Sequence, residues 1–177
     1  YDLRITHRYF AKNLLENSKI GIKDDRVTGL SLHPPMPHYG RYDPSLYLTM
    51  GPLRSTILHY LRSELKWDTE RRYHLLSDRV NRSWDWEQKM GYPNVMSNLR
   101  KAMTRNPHMK VTLACGYYDL TTPYAASLWM VRHLDLDPAI GGNIAIRYYE
   151  AGHQMYTYPP ALKKLTRDAA ELIGAGR

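Results

Sequence analysis

The sequence contains a single cysteine, Cys115, and this scarcity of thiols excludes one class of structure. One thiol cannot close a disulfide within the chain, so a small scaffold held by disulfides is not expected. Cys115 lies inside an apolar run, which is typical of an inert core residue. Cysteine usage therefore leaves the cellular compartment open.

Long hydrophobic runs are also missing, and no basic-then-apolar leader is visible at the first residue. We therefore expect no membrane partner, and composition does not decide the localisation. Apolar residues make up 43% and charged residues 24% of the 177 positions. These proportions are typical of a soluble globular protein that can bury a sizeable core.

No block of positive charge is present, although the formal net charge is +8. The basic residues are interspersed with acids, as in K-D-D-R at 23–26 and E-R-R at 70–72. No zinc-finger, homeodomain or RNA-recognition pattern accompanies them. We therefore expect no nucleic-acid partner.

Metal-ligand patterns are equally scarce. His33 and His38 flank a proline-rich stretch, but no carboxylate or thiol stands at ligand spacing beside them. This pattern favours a stiff loop, so we expect no metal and no cofactor.

What the sequence does contain is an alternation of strands and helices after residue 107. Apolar β-prone runs at 111–115 and 143–150 predict two strands, and amphipathic runs at 124–134 and 161–173 predict the helices that follow them. Thr122-Pro123 is typical of a helix start, with the threonine as the cap. Before residue 107 the chain is mostly helical or irregular, with a helix predicted from about Thr6 and a polar, turn-rich segment at 17–29. Helices are predicted after Asp43-Pro44, from Pro52 to Leu65 after a break at Gly51-Pro52, and again after Pro93.

An acid and a histidine follow the two predicted strands. Asp119 comes three residues after Gly116, and His153 follows Gly152. In open α/β sheets such loops lie at the carboxyl ends of the strands, where ligands bind. An acid followed by a histidine is the order of the last two members of an α/β-hydrolase triad. Taken singly, Asp119 is equally consistent with a turn residue that accepts from Thr121–Thr122 amides, and His153 with a satisfied loop histidine.

A nucleophile is the missing part of this triad. The elbow pattern G-x-S-x-G does not occur, and its nearest relative is G-L-S-L-H at 29–33. No strand is predicted before this stretch, and prolines follow it at once. Ser31 is therefore not expected to act as a nucleophile.

Two motifs give the chain a family resemblance. G-Y-Y-D-L-T-T-P at 116–123 and Y-Y-E-A-G-H-Q-M-Y at 148–156 resemble the serine carboxypeptidases, in particular their bacterial branch. In that family a G-x-x-D-x-x-x-P stretch carries the triad acid and an A-G-H-x-M-Y stretch carries the triad histidine. Upstream stretches at 2–5, 26–29 and 42–45 are similar to the same branch.

The resemblance implies that Asp119 is the triad acid and His153 the general base. It places the family's serine, oxyanion hole and carboxylate-gripping acids before Tyr1. The family has methionine directly after the histidine, whereas this chain has Gln154 there, which puts the preference for the departing residue in doubt. The residues implied to contact a peptide substrate are Tyr118, Gln154, Met155, Trp84 and Trp86.

The fold implied is the C-terminal part of an α/β-hydrolase. Residues 1–92 would form a mostly helical lid, and 93–177 would hold the last two parallel strands with their flanking helices. Two parallel strands alone make a poor sheet, so we expect either self-association or a partner that supplies the N-terminal part of the fold. The family also suggests a periplasmic or secreted location.

Two other functions stay open at this point. The same two loops would serve an esterase, acyltransferase or aminopeptidase of the α/β-hydrolase fold. The chain could equally be a truncated homologue that binds a partner and catalyses nothing.

Overall fold

The computed structural model describes residues 18–30, 43–85 and 94–174. These residues combine helices with strands, and two of the strands run parallel in one sheet, which confirms the α/β prediction at that level. They fall into two compact units. The first contains 18–30, 43–45 and 95–174, and the second contains 46–85 and 94.

The elements follow one another in a simple order. In sequence they are β1 (Ser18–Ile20), β2 (Thr28–Leu30), α1 (Pro44–His59) with a π-helical turn (Tyr60–Glu64), α2 (Asp78–Ser83), α3 (Met96–Arg105), β3 (Val111–Gly116), α4 (Tyr124–Arg132), α5 (Pro138–Gly141), β4 (Ile144–Tyr149), a 3₁₀ turn (Met155–Thr157) and α6 (Pro159–Gly174).

Strands β3 and β4 form the sheet that the sequence predicts. They pair in parallel, with Val111 opposite Ile144 at one end and Gly116 opposite Tyr149 at the other. Both strands are rich in apolar and β-branched residues, which fit a pleated surface covered by helices. Because the strands are parallel and in register, the loops that follow them begin side by side.

Helix α6 covers β4 and forms the described hydrophobic core with it. Tyr149 is 1% exposed and packs in a cluster with Ala151, Met155 and Ala161, against which Leu165 is partly buried. The amphipathic pattern predicted for 161–173 is therefore confirmed, with the helix beginning slightly earlier, at Pro159.

Two local predictions are wrong. The helix that begins at Pro44 continues through Pro52 without the break predicted at Gly51. Proline removes one backbone donor from a helix, but the residues before and after Pro52 stay helical. Thr122 does not cap α4, because Pro123 is the cap residue and no side chain caps it. The Thr122 hydroxyl binds Asp119 instead.

A short antiparallel hairpin was not predicted. β1 and β2 pair with Ser18 opposite Leu30, and the loop between them, 21–27, closes with a 2.8 Å bond from the Gly21 amide to the Val27 carbonyl. We call residues 21–27 the hairpin loop. It belongs to the same compact unit as the parallel sheet, although it lies within the segment predicted as a lid.

Several predictions fall outside the described residues. They concern the helix predicted from Thr6, the loop with His33 and His38, Ser31 and Trp86. In the described residues, no helix is long and apolar enough to cross a bilayer.

Candidate active site

Two loops at the carboxyl ends of the parallel strands form the candidate site. The acid loop, 117–123, leads from β3 to α4, and the histidine loop, 150–154, leaves β4. The amides of Tyr117 and Tyr118 donate to the carbonyls of Tyr149 and Ala151 at 3.0 and 3.1 Å. These bonds extend the strand pairing into the loops, so the two loops are held together where the sheet ends.

Gly116 lets the histidine loop approach the end of β3. A Cβ atom at this position would lie less than 3.0 Å from the carbonyl oxygens of Ala151 and Gly152. Backbone atoms cannot yield as a flexible side chain can, so any larger residue would push the loops apart.

The structure brings Asp119 and His153 into direct contact. Nδ1 of His153 lies 2.7 Å from Oδ2 of Asp119. Asp119 is 5% exposed, whereas the side chain of His153 retains 35% of its exposure. A buried carboxylate therefore orients an imidazole that still reaches solvent.

The second carboxylate oxygen of Asp119 is satisfied by the acid loop itself. Oδ1 accepts the amides of Thr121 at 2.7 Å and Thr122 at 3.0 Å. The role of a turn residue and the role of a histidine partner were open alternatives in the sequence. Asp119 fills both, one with each oxygen.

The hydrogen-bond partners assign the imidazole tautomer. The Thr122 hydroxyl donates to Oδ2 of Asp119 at 2.6 Å, and its oxygen lies 3.3 Å from Nδ1 of His153. Both neighbours of Nδ1 are thus acceptors, so Nδ1 carries the proton. In the neutral ring the lone pair then sits on Nε2, which hydrogen-bonds to none of the described residues. An Nε2 lone pair on an oriented imidazole is what a general base requires.

Asp119 is held in its charged form. Burial raises the pKa of this carboxyl, but the hydrogen bonds from His153 and Thr122 outweigh burial, and the net pKa lies below the usual 3.8. A carboxylate that is ionised at neutral pH beside Nδ1 stabilises the imidazolium that forms when Nε2 takes up a proton.

Tyr118 lies beside this pair but is engaged in other contacts. Its hydroxyl donates to Glu150 at 2.6 Å, and the guanidinium of Arg26 lies 4.2 Å from the centre of its ring. Hydrogen bonding to Glu150 raises the pKa of the Tyr118 hydroxyl. Tyr118 therefore joins the acid loop to the histidine loop, and its predicted contact with substrate stays a prediction.

The other predicted binding residues are placed differently. Gln154 follows His153 and is half-buried, whereas Met155 is 8% exposed and packs in the core beside Tyr149. Trp84 belongs to the second compact unit and is 61% exposed. Met155 thus packs in the core, and the predicted contacts of Gln154, Met155 and Trp84 with substrate stay predictions.

Two parts of the site were missed by sequence reasoning. Thr122 was interpreted as a helix cap, although its spacing of three from Asp119 would have allowed an interaction within the loop. The hairpin loop was interpreted only as polar and turn-rich, yet it donates to and accepts from both loops, in one case through the Arg26 side chain. No local sequence signal pairs residues that are about a hundred positions apart.

Other polar features lie away from the two loops. A cavity of about 230 Å³ is lined by Arg100, Lys101, Thr104, Arg105 and Asp135. Arg100 pairs with Asp135 there at 3.0 Å. The described residues contain no group of three or more His, Cys, Asp or Glu that could hold a metal ion.

Comparison with known protein families, curated proteins and solved structures found no match to this chain.

Proposed function

We propose that this chain supplies the acid and the general base of a serine-type hydrolase, and that this hydrolase is a carboxypeptidase of the α/β-hydrolase fold. The observation that carries the proposal is the 2.7 Å bond between Nδ1 of His153 and Oδ2 of Asp119. The two residues stand on neighbouring loops at the carboxyl ends of parallel strands, where α/β folds place their reacting groups.

The chemistry assigned to His153 follows from its tautomer. Nε2 takes the proton of a serine hydroxyl as the serine oxygen attacks the carbonyl carbon of the scissile bond. Nε2 then returns this proton to the amine as the C–N bond breaks, which leaves an acyl-enzyme. Water attacks the acyl carbon and gives its proton to Nε2, and that proton goes back to the serine as the ester bond breaks. Asp119 stays ionised throughout.

The nucleophile in this proposal comes from outside the 177 residues. No G-x-S-x-G elbow occurs in the sequence, and no serine among the described residues hydrogen-bonds to the His153 ring. The isolated chain should therefore hydrolyse nothing by this route, because a base and an acid have no serine to activate. Covalent labelling of the isolated chain by a serine-directed phosphonate would contradict this part of the proposal.

The choice of a carboxypeptidase rests on the two motifs around Asp119 and His153. The nucleophile and the groups that bind a terminal carboxylate would be supplied by a further part of the fold, in the same or a separate chain. Such a part would also extend the two-stranded sheet of the described residues, which is short for a parallel sheet.

The test uses the whole protein encoded by the reading frame that contains this chain. Three substrates are compared: an N-blocked dipeptide with a free carboxylate, the same dipeptide as its C-terminal amide, and a p-nitrophenyl ester. A carboxypeptidase should cleave the first far faster than the second. Turnover of the ester alone would favour another α/β-hydrolase. Failure to cleave any of the three by a protein that contains the serine elbow would favour a binding module without catalysis.

A further inference from the structure

The hairpin loop holds the acid loop through backbone bonds. The amide of Leu120 donates to the carbonyl of Ile22 at 3.0 Å, and the amide of Asp25 donates to the carbonyl of Tyr118 at 3.0 Å. One bond runs in each direction, so the backbone on both sides of Asp119 is fixed against the hairpin loop.

The histidine loop is bound by the same part of the hairpin loop, residues 22–25. The amide of His153 donates to the carbonyl of Lys23, and the amide of Gly152 donates to Oδ2 of Asp24 at 3.1 Å. The backbone approach is close, because a Cβ atom on Gly152 would lie less than 3.0 Å from the Lys23 carbonyl and the Asp24 backbone. Asp24 is thus the side chain of the hairpin loop that accepts the Gly152 amide.

Asp24 is itself fixed by Arg26. The Arg26 Nη2 and Nε atoms lie 2.7 and 3.0 Å from the two carboxylate oxygens of Asp24, and Nη1 donates to the Glu150 carbonyl at 3.2 Å. The guanidinium also stands over the Tyr118 ring. A forked, charge-assisted pair of this kind is geometrically stiff, so it fixes the carboxylate that receives the Gly152 amide.

Two side chains at the start of α1, Asp43 and Ser45, accept the backbone amides of residues 22–24 in the hairpin loop. Asp43 Oδ2 accepts the amides of Ile22 and Lys23 at 3.1 and 3.3 Å. The Ser45 hydroxyl oxygen accepts the amides of Lys23 and Asp24 at 3.1 and 3.2 Å, and Ser45 is 4% exposed. The backbone that carries Asp24 is therefore held by the buried Ser45 hydroxyl and by the half-buried Asp43 carboxylate.

We propose that Asp24 is a positioning residue that sets the His153 imidazole against Asp119 by holding the Gly152 amide. Its relevance to catalysis rests on the proposed function, whereas the geometric effect does not. Without the Asp24 carboxylate, the Gly152 amide loses its acceptor and the Arg26 guanidinium loses its carboxylate partner. The backbone bonds from His153 to Lys23 and from Tyr118 to Ala151 remain, but the histidine loop is held less firmly at Gly152, and the bond between Nδ1 and Oδ2 weakens.

The experiment is NMR on the isotope-labelled 177-residue chain. It follows the Nδ1 proton of His153 and the carboxyl carbon of Asp119 in the unmodified chain, in Asp24→Asn and in Asp24→Ala. We expect exchange of the Nδ1 proton with water to accelerate about tenfold in Asp24→Ala and by a smaller factor in Asp24→Asn, which keeps a neutral acceptor. The pKa of Asp119 should rise in the same order.

Asp135→Asn and Asp135→Ala are the matched controls, because Asp135 also pairs with an arginine, Arg100, and is 88% exposed at its side chain. Neither control should change the His153 proton. Folding of each variant is checked by its amide spectrum. If Asp24→Ala does not fold, Asp24→Asn decides the matter: exchange equal to that of the unmodified chain overturns the proposal, and faster exchange with unchanged Asp135→Asn supports it.

The outcome is independent of the substrate assays. Faster exchange of the His153 Nδ1 proton in the Asp24 variants, together with an enzyme that cleaves nothing, would remove the proposed function and keep the positioning role. Peptide hydrolysis together with unchanged exchange of that proton in both Asp24 variants would keep the proposed function and remove the positioning role.

Discussion

Nδ1 of His153 and Oδ2 of Asp119 lie 2.7 Å apart, although the two residues are 34 positions apart in the chain. The contact results from the parallel register of β3 and β4, which starts the two loops side by side, and from the glycines that let the loops approach. Single substitutions around this contact test it one interaction at a time, and the expected effects on stability differ.

Removal of the Thr122 hydroxyl should weaken the acid loop. In Thr122→Val the Asp119 carboxylate loses a 2.6 Å hydrogen bond, and we expect the free energy of unfolding to fall by about 1–2 kcal/mol at neutral pH. Thr122→Ser keeps the hydroxyl and should stay within about 0.5 kcal/mol of the unmodified chain. Urea denaturation measures both, and equal stability of the valine and serine variants would contradict the assigned bond.

The contribution of Asp119 to stability should depend on pH in one direction. Its pKa is lower in the folded chain than the usual 3.8, so the unfolded chain binds the proton more readily. The stabilisation is then fully present above pH 3.8 and is lost as pH falls through the folded pKa. Comparing unmodified chain and Asp119→Asn by urea denaturation at several pH values should show a difference that shrinks in acid. A difference that grew in acid would reverse the assigned direction.

The close approach at Gly152 predicts a steric penalty. An alanine there would place its Cβ against the Lys23 carbonyl and Asp24, and overpacking against backbone typically costs about 1–3 kcal/mol. Gly141→Ala is the control, because a Cβ at Gly141 would have no atom within 4 Å. Thermal unfolding of the two variants gives the comparison. Equal melting temperatures for both would show that the hairpin loop does not rest on Gly152.

Tyr149→Phe tests how α6 is fastened to the sheet. The Tyr149 hydroxyl, whose pKa is raised to about 12 by burial and by Asp168, donates to Asp168 at 2.8 Å. We expect the loss of this bond to lower Tm by about 4 °C. Tyr148→Phe should have a smaller effect, because the Tyr148 ring stacks on Tyr117 instead. A larger loss in Tyr148→Phe would contradict this account of the core.

The elements with strong local patterns were predictable from the sequence. β3, β4 and α6 each carry a hydrophobic pattern long enough to identify, and the structure confirms all three. The hairpin was not predictable, because strands of three residues, such as β1 and β2, are too short to show an alternation.

The candidate site was predictable in part for a related reason. Asp119 and His153 follow strand ends and have glycines nearby, and these features are visible locally. The support from the hairpin loop depends on backbone bonds between Lys23 and His153, which no local pattern encodes. Thr122 was misassigned because a threonine before proline is a common helix start, and the structure gives its hydroxyl to Asp119 instead.

The central claim is that His153 acts as the general base of a serine hydrolase. The most direct measurement is kcat/KM of the whole encoded protein for the N-blocked dipeptide with His153→Ala, beside His133→Ala as the control. His133 stacks on Trp129 at 4.2 Å at the end of α4, away from both loops. We predict a loss of at least about 10³-fold for His153→Ala and nearly unchanged activity for His133→Ala. Full activity in His153→Ala would contradict the account.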